Sequence, residues 1–76
     1  MLPSTVIRVG SRIRVRDQDG SEDEFTIVRL EESDISSRRI SDTSPLAAAL
    51  IGHRVGERVR VRAPGGHRTV TILGVS

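Results

Sequence analysis

A chain of 76 residues, 36% hydrophobic and without cysteine, forms one domain with a small core and can hold neither a disulfide nor a thiolate metal site. Its net charge is only +2, and Phe25 is its one aromatic residue, so it lacks the stacking platform of single-stranded nucleic-acid binders. No apolar run approaches the ~20 residues that span a bilayer, and Met1-Leu2-Pro3-Ser4 lacks the blocks of a signal peptide, which makes the cytoplasm the expected setting.

Along the chain, Val6 to Val9 has the composition to begin a strand, broken at Gly10-Ser11, and residues 1–8 otherwise read as a loose N-terminal segment. Arg12-Ile13-Arg14-Val15-Arg16 alternates strictly, as a half-buried strand does. Asp17-Gln18-Asp19-Gly20-Ser21 is a turn cluster in which Gly20 supplies a positive φ. The returning strand is Glu24 to Leu30; its alternation slips between Ile27 and Val28, which predicts a bulge or burial on both faces. Glu22, Asp23 and Glu24 then lie near Arg14 and Arg16, where cross-strand pairing is worth a few tenths of a kcal/mol, roughly. Residues 31–39 are polar and read as a loop or one helical turn, with Ile35 turned inward and Asp34 capping the turn or pairing with Arg38.

Ile40-Ser41 is a short strand leading into the only convincing helix, at about 45–51. Ser44 is a good N-cap, because its hydroxyl can accept from a free N–H of the first turn. Pro45 fits the first helical position, where a missing N–H costs nothing. Leu46 and Leu50, with Ala47 and Ile51, give one apolar face, and Gly52 suits the left-handed residue that ends a helix. Two turns are not stable alone, so this helix must lie on a sheet. His53 to Glu57 is a tight connection, and Arg58 to Ala63 alternates again. Pro64-Gly65-Gly66 fits a type II turn into a last strand, His67 to Val75. The expected fold is α+β: a twisted antiparallel sheet of four to five strands packed on one short helix. Its expected core is Ile13, Val15, Phe25, Ile27, Leu46, Leu50, Ile51, Val59, Val61, Val70 and Ile72.

Signals for catalysis are weak. The two histidines, His53 and His67, stand in or beside turns, no G-x-S-x-G occurs, and so small a domain offers little room for a pocket. Two His without paired spacing do not make a metal site, and Gly65-Gly66 is not a phosphate loop because no helix follows it. No cofactor, metal or small-molecule substrate is expected. Two surface features remain. Arg12, Arg14 and Arg16 share one side of a strand, and Arg58, Arg60 and Arg62 share one side of another. On one sheet face they would make a basic patch for a phosphate backbone or an acidic protein, or else an ordinary solvated face. The second feature is the elbow Asp42-Thr43-Ser44-Pro45-Leu46. Helix initiation explains Ser44 and Pro45 but not Asp42 and Thr43, so a rigid corner with an acid, a hydroxyl and an apolar tip reads as a docking knob.

The order Asp34, Ile40-Ser41, Ser44-Pro45-Leu46-Ala47, Ala49-Leu50-Ile51-Gly52, Val55-Gly56-Glu57, Val59, Val61, Pro64-Gly65-Gly66, Val70, Ile72 and Val75 resembles the C-terminal domain of the GreA/GreB transcript-cleavage factors. Their nucleoside-diphosphate-kinase-regulator relatives share that domain. The resemblance runs from about Val9 to Val75. It implies an FKBP-like fold and a non-enzymatic domain that docks on RNA polymerase, against a coiled coil at the rim of the secondary channel. Carried onto this chain, the family's docking loop falls on Asp42, Ser44, Pro45 and Leu46. The family's cleavage activity belongs to an N-terminal coiled coil whose acidic tip holds magnesium. Residues 1–76 match one C-terminal domain and no such coiled coil, and Asp19, Glu22, Asp23 and Glu24 do not match its tip. Transcript cleavage is therefore not expected, nor is prolyl isomerisation, which in FKBP-like enzymes uses an aromatic-lined pocket. The rival expectation is a weak nucleic-acid contact through the arginine face.

Overall fold

Alternating Arg and Val or Ile residues build the centre of the fold. The computed structural model describes residues 6–76. Strand β1 spans Arg12–Asp17, β2 Glu22–Val28, β3 Arg39–Ser41, β4 Arg58–Ala63 and β5 Gly66–Val75; the helix α1 is Pro45–Leu50. They form one sheet in the order β3-β2-β1-β5-β4, with α1 against β4. In β1 and β4 alike the aliphatic residues face inward and every Arg faces out. The fold is α+β, as the patterning implies, and the helix ends one residue earlier than expected.

Three of the four strand pairings are antiparallel; β2 with β3 is parallel, through Thr26–Arg39, Ile27–Ile40 and Val28–Ser41. The cause is the connection. After Val28 the chain makes two 3-10 turns, Leu30–Glu32 and Ile35–Ser37, and returns to the start of its own neighbour rather than folding back as a hairpin. Asp34 caps the second turn, accepting from the Ser36 N–H at 3.1 Å, and its ion pair is with Arg39, not Arg38. Arg38 stands in the left-handed region at φ +58 and reaches back to β2, where it pairs with Asp23 and donates to the Glu24 carbonyl at 3.2 Å. Ile35 is not tucked inward; it is 83% exposed, because the turn projects its one apolar side chain away from the sheet.

The buried cluster contains Ile13, Val15, Phe25, Ile27, Leu50, Val59, Val61, Val70 and Ile72 from the expected set. Leu46 is half-buried and packs against its edge. Ile51 is corrected to the surface: it leaves the helix at ψ 131, which turns its side chain off the apolar face. Its place is taken by Ala47 and by Ile7. Of the segment expected to be loose, residues 1–5 lie outside the described residues, but Val6 to Arg8 are tied down. The Ile7 N–H donates to the His53 carbonyl at 2.9 Å, and the Gly52 N–H donates to the Ile7 carbonyl at 2.8 Å. Gly52 reaches that carbonyl by turning at φ +92 just after the helix. Of the two alternatives at Ile27–Val28, the structure favours burial on both faces: Ile27 is buried, Val28 is half-buried, and their pairing with β3 is regular. A bulge lies elsewhere, where β1 and β5 change register between Arg14 and Val15, opposite Gly74 and Ile72, so that Leu73 is the extra residue.

Candidate functional site

The corner between β3 and α1 is braced from within. Ser41, buried at the end of β3, accepts from the Thr43 N–H at 3.0 Å and shares a 2.7 Å hydroxyl contact with Thr43. The Ser44 N–H returns to the Ser41 carbonyl at 3.0 Å, and the Asp42 N–H is held by the Val28 carbonyl at 2.8 Å. Ser44 then caps α1, its hydroxyl accepting from the Ala47 N–H at 3.2 Å, with Pro45 opening the first turn. The hydroxyls of Thr43 and Ser44 are thus engaged inside the corner. The Asp42 carboxylate is different: half-buried, it makes no ion pair and no side-chain hydrogen bond among the described residues.

Beside this corner lies an open groove of about 350 Å³. Ile40, Pro45 and Leu46 form one wall; Val61, Ala63 and Pro64 of the β4–β5 hairpin form the other. Arg62 and Arg68 stand at its rim, and Arg68 is held by Asp17 at 3.0 Å. The structure therefore brings Asp42, Thr43, Ser44, Pro45 and Leu46 together as one unit and adds a hairpin wall that lies about twenty residues further along the chain. Sequence reasoning missed that wall, since only the tertiary fold places it. It also missed Ser41, although the Ser-x-Thr spacing is a usual source of local side-chain to backbone bonds.

The six arginines do share a face. Sheet order puts β5 between β1 and β4, and the register sets Arg16 and Arg58 on either side of Thr71. Next along β4, Arg60 stands opposite Thr69 and Arg62 opposite His67. Two of the six are engaged by β2: Arg12 with Glu24 at 3.5 Å and Arg16 with Glu22 at 3.2 Å. Arg14, Arg58, Arg60 and Arg62 have no ion-pair partner among the described residues.

Sequence and structure comparisons show the family of the chain. The family described as "Transcription elongation factor, GreA/GreB, C-term" matches residues 2–76. The chain belongs to this GreA/GreB family. It is 43% identical over 70 residues to transcription elongation factor GreA of Sinorhizobium medicae, an alignment covering 91% of this chain and 44% of that protein. It is 40% identical over 73 residues to GreA of Bacillus cereus, covering 95% and 46%. Among solved structures it superposes on GreA factor homolog 1 (Gfh1) of Thermus thermophilus with a TM-score of 0.80 at 30% identity, over all of this chain and 52% of that one. The GreA/GreB factor of Nitrosomonas europaea gives 0.80 at 31%, over 99% and 63%. The chain spans about half the length of the curated relatives it matches.

Elsewhere in this GreA/GreB domain, polar loops are locked by their own side chains. His53 and Glu57 meet at 2.7 Å, and Glu57 also accepts from the Arg54 N–H at 2.7 Å, which closes the turn before β4. These contacts, the His53 bond first, hold the Glu57 carboxyl below its ordinary range. Asp34 is held low chiefly by the hydroxyls of Ser36 and Ser37, and Asp19 by Ser21. No described helix is long and apolar enough to cross a membrane.

Proposed function

We propose that this domain is the RNA-polymerase-docking module of a Gre-family elongation factor, acting in the cytoplasm and without catalysis of its own. The carrying observation is the Asp42 carboxylate, without an ion-pair partner among the described residues, on a corner whose other polar groups are internally bonded, next to an apolar groove. That combination suits a partner presenting a cation beside an apolar side chain. Anchoring is favoured because the corner is already rigid, so little conformational freedom is lost on contact. The names of the relatives, transcription elongation factors, point to the elongating polymerase as that partner. The coiled coil at the rim of its secondary channel, implied by the family resemblance, is the proposed seat. Bound there alone, the domain competes with full-length Gre factors.

Pull-down or titration with core polymerase tests this. Asp42→Arg is expected to weaken binding at least tenfold, about 1.4 kcal/mol, by setting a like charge against the partner's cation. Pro45→Ala loosens the corner and is expected to weaken it less. Parental affinity in both variants would remove the corner from the account.

A further inference from the structure

We propose that the edge of β4 takes up an extended acidic peptide as an added antiparallel strand, with an Asp or Glu opposite each of Arg58, Arg60 and Arg62. The sheet order leaves β4 at one end, with β5 as its only ladder partner among the described residues. Antiparallel pairs alternate between bonded and unbonded. The Ile72 N–H donates to the Glu57 carbonyl at 3.0 Å, so the next bonded pairs are Val59–Val70 and Val61–Arg68. The N–H and C=O groups of Arg58, Arg60 and Arg62 therefore point away from β5, and no other described segment pairs with them through backbone hydrogen bonds. Such a row is a template for strand addition. The opposite edge differs. At β3, Asp34 exchanges both backbone bonds with Arg39 at 2.9 Å, and the Ser41 carbonyl accepts from the Ser44 N–H at 3.0 Å.

The side chains beside that row select the occupant. Arg58, Arg60 and Arg62 are exposed and have no ion-pair partner among the described residues. Their spacing of about 6.6 Å repeats that of alternate residues on any paired strand. A second copy of this chain is disfavoured: antiparallel pairing of β4 with β4 sets arginine against arginine, and like charges directly opposite are destabilising. The same geometry favours carboxylates, which a guanidinium binds with paired, planar donors. The arginines that block self-pairing are thus the ones that admit an acidic strand. Its intervening side chains turn to the side of Val59 and Val61, where apolar residues extend the dry face of the sheet. One opposite Val61 borders the groove, which Arg62 also lines.

Amide hydrogen exchange of the full chain, followed by NMR with and without a short capped peptide that alternates Glu and Val, tests the proposal. At a free peptide concentration about nine times its dissociation constant, the Arg58, Arg60 and Arg62 amides are expected to exchange about tenfold more slowly. A peptide of the same composition with its Glu residues grouped, or one N-methylated at each Glu, is expected to bind at least about tenfold more weakly, having lost the charge register or the donors to the edge. Arg60→Glu, which sets a like charge against the peptide, is expected to weaken binding to a similar degree. Arg60→Pro suits an edge strand whose N–H faces away from the ladder, and is expected to abolish binding. If either variant does not fold, the exchange rates of the parent chain decide. Absence of binding, equal affinity for the grouped or N-methylated peptide, or a bound peptide that leaves the three arginine amides at their free rates would each overturn the proposal. The last result would mean that acidic peptides meet the arginines by charge alone. The experiment contains no polymerase, so its failure leaves the docking corner standing, and the failure of Asp42→Arg to weaken polymerase binding leaves the strand site standing.

Discussion

Replacing Ile7 by alanine separates a loose N-terminus from a structural one. Ile7 is 1% exposed and its backbone bonds both ways to the segment after α1. The change removes three carbons, a transfer loss of about 2.4 kcal/mol at ~0.8 per buried methylene. Incomplete collapse of the vacated space adds to it, within the 2–5 kcal/mol range of roughly comparable core truncations. A loss of about 3 kcal/mol is large against the roughly 4–11 kcal/mol expected for a domain of 76 residues. Thermal melting should fall by about 12–24 °C, at roughly 4–8 °C per kcal/mol for this size. Val9→Ala is the control: Val9 lies two residues on and is 42% exposed, so its loss should stay within about 0.5 kcal/mol. Urea unfolding of both variants provides the assay, with an unchanged slope showing that the same cooperative unit unfolds. Equal midpoints for the two variants would mean that Ile7 is not part of the core, and the docking of residues 6–8 beside Gly52-His53 would fall with it.

Loss of the helix cap is the next expectation: Ser44→Ala leaves the Ala47 N–H unpaired and should cost about 1 kcal/mol in urea unfolding. Because the same residue closes the corner, polymerase binding should weaken as well, and a variant that lost stability but kept full affinity would show that the corner tolerates a frayed helix start. On the acid side, Asp19, Asp34 and Glu57 have folded values below their ordinary 3.8, 3.8 and 4.5. Their contribution is therefore fully present above the ordinary values and is lost as pH falls through the depressed folded ones. Unfolding midpoints should change little on their account down to about pH 5 and then decline toward about pH 3. The double variant Asp34→Asn, Glu57→Gln should flatten that decline; an equally steep fall would place the acid sensitivity elsewhere.

Strand existence was legible because period-2 alternation in Arg12 to Arg16 and Arg58 to Ala63 has one physical meaning, a sheet with one dry face. The cap at Ser44 and the turns at Gly20 and Gly65 were legible for the same kind of reason: each residue type suits one local geometry, and both glycines take the positive φ the turns need. What could not be read was anything decided between segments. Residues 29–38 contain no signal of whether the chain folds back or crosses over, so the parallel β2–β3 pair was invisible. Ile7 and Ile51 are both isoleucines near a polar stretch; only the exit angle of the helix puts the first inside and the second outside. In the candidate site, the corner came from local sequence, whereas the groove needed the β4–β5 hairpin to arrive from further along.

The groove and the arginine row meet on one strand, β4, whose pleat separates Val61 from Arg58 and Arg60, while Arg62 near the strand end also lines the groove. Val59 and Val61 point inward, toward α1 and the groove, while Arg58 and Arg60 point to the opposite side. The groove therefore opens on the helix side, away from Arg58 and Arg60. A one-residue slip of β4 against β5 would exchange the two sets, burying guanidinium groups under the helix and exposing the valines. The Val59–Val70 pair, buried on the dry face, opposes that slip, and the Pro64-Gly65 turn fixes the hairpin end. The same hydrophobic register that stabilises the domain is thus what puts an apolar groove beside Asp42 on one side and, on the other, arginines without an ion-pair partner among the described residues.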